Sequence, residues 1–134
     1  MTNVMIVEDD PSIAILLQVW AARLRLRTLW ACSTREAMEM IDDICFIDIR
    51  LDGILVDYRL PDATGCRVLM EFLKEFPSAS AAVMTAYSDL TLEPRLRTRS
   101  IPLFRKPLNK QAIENWLGKL STNSKRFNPD SITT

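Results

Sequence analysis

The chain has 134 residues, 48% of them hydrophobic and 25% charged, the make-up of one globular domain that can bury a core without staples. Lysine plus arginine and aspartate plus glutamate balance at 17 each, so bulk charge gives no argument for a nucleic-acid or membrane partner. Three cysteines without a CxxC pair, and no histidine, argue against a zinc site, and no stretch reaches the roughly 20 apolar residues of a membrane helix.

In chain order, Val4–Val7 is a short apolar run that stops at Glu8-Asp9-Asp10-Pro11, the pattern of a buried strand and a turn. Asp10 can cap the next helix, Pro11 suits its first turn, and Ile13, Leu16, Leu17, Trp20 and Leu24 recur at helical spacing. Arg27–Ala31 reads as a second strand. Ser33 or Thr34 caps a second helix with Ala37, Met38, Met40, Ile41 and Ile44 on its apolar face. Gly53–Val56 is a third strand ending at Asp57, and Tyr58–Gly65 is a loop leading into a helix faced by Val68, Leu69, Phe72, Leu73 and Phe76. Pro77 and Ser78 break that helix before a fourth strand, Ala81–Met84, which ends at Thr85. A weaker helix covers Thr91–Thr98, with Pro94 tolerated in its first turn. Ile101–Phe104 forms a fifth strand ahead of Arg105-Lys106-Pro107, and Asn109 caps a last helix carrying Ile113, Trp116, Leu117 and Leu120. Residues 1–120 then form one domain, and the polar, aperiodic 121–134 is expected to be a flexible tail or the start of a linker.

Short buried strands alternating with helices predict a (βα)5 α/β fold, a doubly wound parallel sheet whose ligand site lies beyond the carboxyl ends of its strands. Five polar residues fall on that edge: Glu8 and Asp9 after strand one, Asp57 after strand three, Thr85 after strand four and Lys106 after strand five. Crowded carboxylates repel one another, and a divalent cation with oxygen ligands, Mg²⁺ above all, relieves the repulsion. Phosphoryl transfer to a carboxylate needs a nucleophile, a cation and further positive or hydrogen-bonding groups. Asp57 can be that nucleophile. Asp9, with Glu8 directly or through water, would hold the metal, while Lys106 and the Thr85 hydroxyl would meet the phosphoryl oxygens. Taken singly, each residue is as readily a helix cap or a turn residue; their shared edge gives the pattern its weight.

The segments Val4–Asp10, Ile54–Gly65, Val83–Ala86 and Arg105–Pro107 together resemble the receiver domain of two-component response regulators. The resemblance implies a flavodoxin-like sheet of strand order 2-1-3-4-5. It implies that Asp57 is phosphorylated by a sensor histidine kinase or a histidine phosphotransfer protein, in a domain that catalyses only its own phosphorylation and dephosphorylation. Mg²⁺ would be held by Glu8 or Asp9, by Asp57 and by the backbone carbonyl of Arg59. Signalling would pass through the face of helix four, strand five and helix five to a downstream target or output domain, a face that also allows a homodimer. The switch aromatic of the family is replaced by Leu103, with Phe104 beside it on the opposite side of the strand. Arg59 and Tyr87 occupy the positions that flank the phosphoryl group, and their bulk implies slow self-dephosphorylation.

Other classes fit less well. A degenerate receiver, acting as a phosphorylation-independent interaction module, would have lost some of the five polar residues. A flavodoxin-like electron carrier needs a Ser/Thr/Gly-rich phosphate loop where Glu8-Asp9-Asp10 stands. An aspartate-nucleophile hydrolase carries a second aspartate where Arg59 stands. The basic run Arg95, Arg97, Arg99 and Arg105 reads as a partner-facing surface, since no base-reading module accompanies it. The protein is expected to be cytoplasmic, with reduced thiols.

Overall fold

Apolar runs without polar alternation suit strands covered on both faces, and the chain uses them so. The computed structural model describes residues 1–86 and 92–126. In it, β1 (Asn3–Val7), β2 (Arg27–Ala31), β3 (Gly53–Asp57), β4 (Ser80–Thr85) and β5 (Leu103–Arg105) alternate with α1 (Pro11–Arg23), α2 (Thr34–Ile47), α3 (Gly65–Glu75), α4 (Leu92–Thr98) and α5 (Lys110–Arg126). The strands form one parallel sheet in the order β2-β1-β3-β4-β5, as expected.

Successive side chains point to opposite faces, so each strand feeds two cores. Met5, Val7, Ile54, Val56 and Val83 pack under α2, α3 and α4 with Ile41, Val68, Phe72 and Leu96. Val4, Ile6, Leu55 and Met84 pack under α1 and α5 with Leu17, Trp20, Ile113 and Leu117. Each fully buried side chain of this size contributes roughly 1.5–3 kcal/mol over leaving it in water.

Local signals behave largely as expected. The Asp10 carboxylate accepts the Ser12 N–H at 2.9 Å, the Ser33 hydroxyl accepts that of Glu36 at 3.1 Å, and the Asn109 side chain accepts that of Ala112 at 2.9 Å. The second helix runs to Ile47 and stops where Asp48 turns left-handed (φ 59°), a conformation its short polar side chain tolerates.

Three expectations are corrected. Strand five begins at Leu103, after Pro102, which has no N–H to give the ladder. Leu16 is 43% exposed, because the buried stripe of α1 is built from Ala14, Leu17, Trp20 and Ala21. Helix α5 continues past Leu120 to Arg126, and residues 127–134 lie outside the described residues.

Gly65 opens α3 directly against the end of β3. A Cβ there would sit 2.1 Å from the Asp57 carbonyl oxygen and 2.9 Å from Val56 Cγ2, and the backbone atom cannot swing aside. Gly65→Ala is therefore expected to cost roughly 2–3 kcal/mol of stability in urea denaturation. An unchanged midpoint would mean that the start of α3 yields freely.

Candidate functional site

The register of the sheet brings the ends of β1, β3 and β5 to one edge. Glu8 directly follows β1. Its N–H donates to the Ala31 carbonyl at 3.0 Å, and its own carbonyl accepts the indole N–H of Trp30 at 2.8 Å. Its side chain is fully buried and accepts the Asp10 N–H at 3.1 Å. Asp57, the last residue of β3, is buried too, and its Oδ1 accepts the Arg59 N–H at 3.1 Å. Asp9 is exposed, so the cluster has a solvent side. One carboxylate oxygen from each of Glu8, Asp9 and Asp57 lies within 4.8 Å of the others.

Lys106 enters this cluster from the loop after β5. Its Nζ lies 2.8 Å from Asp57 Oδ2 and 2.8 and 3.1 Å from the two Glu8 oxygens. Its backbone N–H donates to the Thr85 carbonyl at 2.8 Å, and the Lys106–Pro107 peptide is cis.

The electrostatics follow from burial. Desolvation pushes the Glu8 carboxyl up to about 7, opposed by its hydrogen bond to Lys106 and reinforced by the charge of Asp57. Burial alone would lower the Lys106 ammonium, but its hydrogen bonds to Asp57 and Glu8 outweigh that and raise it.

A carboxyl raised in the folded state keeps its proton after the unfolded chain has lost it, so its stabilising contribution fades as pH rises. In metal-free buffer, stability relative to Glu8→Gln is expected to fall between pH 4.5 and about 7 and to level off above. Parallel pH profiles of the two proteins in chemical denaturation would contradict this.

The remaining residues singled out from sequence are placed as follows. Thr85 ends β4 beside β3 and is buried. Arg59 pairs with Thr64 in an isolated antiparallel bridge within the β3–α3 loop. Leu103 packs on the α2–α3–α4 side of the sheet. Phe104 packs on the α1–α5 side, its ring edge-on to Trp116 with centroids 6.4 Å apart. Tyr87 lies outside the described residues.

Two residues here escaped sequence reasoning. Trp30 read only as a strand residue, and Asp62 only as a loop residue. The partners of both are distant in sequence, with no local pattern to announce them.

The set is oxygen-only, partly open and already supplied with a cation, which suits a hard divalent ion and an anionic group together. A five-stranded parallel sheet with acids and a lysine at this edge defines a class. Residues 4–117 match the model of the response regulator receiver domain, and the chain belongs to that family.

Among its relatives, the response regulator protein PilR of Pseudomonas aeruginosa is 31% identical over 106 residues, covering 78% of this chain and 23% of that protein. The transcriptional regulatory protein ZraR of Escherichia coli K12 is 28% identical over 118 residues, covering 87% of this chain and 26% of that protein. The chain thus spans about a quarter of the length of these relatives.

The fold recurs in a receiver domain from Clostridium thermocellum, at a TM-score of 0.78 and 18% identity, covering 93% of this chain and 98% of that one. It recurs in a CheY-like receiver domain from Methanospirillum hungatei, at a TM-score of 0.78 and 21% identity, covering 95% and 99%.

Proposed function

We propose that Asp57 accepts a phosphoryl group from the phosphohistidine of a sensor histidine kinase or a histidine phosphotransfer protein. The observation that carries this reading is the junction of Asp57 with Glu8, Asp9 and Lys106, three carboxylates within 4.8 Å and an ammonium 2.8 Å from the acceptor. A carboxylate oxygen of Asp57 forms the new P–O bond as the P–N bond of the donor breaks, and the imidazole leaves.

Glu8, Asp9, Asp57 and the Arg59 carbonyl would hold Mg²⁺, to which an all-oxygen set is suited. When bound, the ion neutralises charge that develops on the transferring oxygens. Lys106 and Thr85 orient and stabilise the same group. Arg59 and Tyr87 limit the access of water and so set its lifetime.

The domain performs only its own phosphorylation and dephosphorylation. It then presents the α4–β5–α5 face, with Leu103 and Phe104 at its centre, to a downstream protein, an output domain or a second copy. The exposed Ile15, Leu16 and Val19 of α1, the helix that begins beside Asp9 and Asp10, offer the donor an apolar surface. No helix among the described residues is long and apolar enough to cross a membrane. The test is labelling by acetyl phosphate in Mg²⁺ with an Asp57 variant as control.

A further inference from the structure

Asp62 stands at the tip of the loop between β3 and α3, and its carboxylate leaves that loop altogether. Oδ1 accepts the N–H of Thr34 at 3.0 Å and Oδ2 that of Arg35 at 2.9 Å, partners 28 and 27 residues away. These two donors open α2, where no intrahelical acceptor exists for them, and Ser33 satisfies only Glu36 further along. The N–H groups of Arg35 and Thr34 hold the Asp62 carboxyl below the usual carboxylate range, as expected for an anion that caps a helix.

The rest of the loop is tied inward. The Arg59 N–H is bound to Asp57, Arg59 bridges Thr64, and the Gly65 N–H donates to the Tyr58 carbonyl at 2.7 Å. The helix that Asp62 grips follows β2, whose Ala31 and Trp30 hold the backbone of Glu8. Hydrogen bonds and backbone together therefore connect Glu8, through β2 and the start of α2, to Asp62 and back along the loop to Asp57.

We infer that Asp62 is a positioning residue for the cation site: by clamping the loop to α2 it fixes the segment that presents Arg59 beside Asp57. This rests on the reading of the cluster as a Mg²⁺ and phosphoryl site. Ligands are held to their geometry by such outer partners, and losing one typically weakens metal binding about 10–100-fold.

The test is titration of the full chain with MgCl₂, followed by amide NMR, for wild type, Asp62→Ala, Asp62→Asn and Ser33→Ala. Ser33→Ala removes another cap of the same helix and so controls for simple loss of α2 stability. Asp62→Ala is expected to raise the Mg²⁺ Kd about tenfold. Asp62→Asn, which keeps one acceptor oxygen, should fall between, and Ser33→Ala should stay within about twofold of wild type. A Kd for Asp62→Ala equal to that of wild type overturns the inference, as does an equal weakening in Ser33→Ala. A wild type that binds no Mg²⁺ overturns the phosphoryl-site reading first, and this inference with it.

Discussion

Asp57→Asn is expected to reduce labelling by acetyl phosphate to background while leaving the fold intact. The asparagine side chain has no anionic oxygen with which to attack phosphorus, so the nucleophile is lost outright. It keeps a carbonyl oxygen that can still accept the Arg59 N–H, now bonded to Asp57 Oδ1 at 3.1 Å. It also removes one of three crowded acids while Lys106 keeps both Glu8 oxygens, so stability in Mg²⁺-free buffer should not fall sharply. Intact-mass detection of the phosphorylated protein, with and without Mg²⁺, checks this. Equal labelling of wild type and variant would place the acceptor elsewhere. Failure of the wild type to label, or to respond to beryllofluoride with Mg²⁺, would favour an interaction module that needs no phosphate.

Lys106→Met should produce the second large effect, and on stability. The ammonium bridges Glu8 and Asp57, whose side chains are 0% and 7% exposed, while its own is 16% exposed. Removing the cation strands two buried acids against each other. Breaking such a pair from one side commonly costs about 3–5 kcal/mol, and the partial exposure of Lys106 argues for the lower end. Part of the loss returns when one carboxyl takes up a proton, so the penalty should shrink as pH falls. Saturating Mg²⁺ should return more of it, since a divalent ion relieves the same repulsion. Denaturation of wild type and variant across a pH series, with and without MgCl₂, measures all three. A variant as stable as wild type at neutral pH without the ion would show that the bridge contributes nothing.

Much of the architecture could be read from the chain because its signals are local. β1, β3 and β4 are built on unbroken apolar runs that halt at a polar residue, and Asp10, Ser33 and Asn109 announce the helices that they cap. The candidate site was legible for the same reason, since Glu8, Asp9, Asp57 and Lys106 each sit at the end of a strand or within two residues of it.

What escaped the reading depends on contacts between distant segments. Asp62 has the composition of any turn residue, and only the packing of the loop against α2 gives its carboxylate two donors. In α1 the periodicity of large apolar residues misassigned Leu16, because Ala14 and Ala21 let the helix approach the sheet on a different stripe. In α5 the polar residues after Leu120 carry no apolar rhythm, yet the backbone ladder propagates to Arg126.

The edge-on contact between Phe104 and Trp116 has a mechanical consequence. Lys106 directly follows β5, two residues beyond Phe104, so the ammonium in the acidic cluster and the ring against α5 are carried by one short stretch of chain. The acidic pocket and the last helix are thus joined through Phe104, while Leu103 packs on the other side of the sheet.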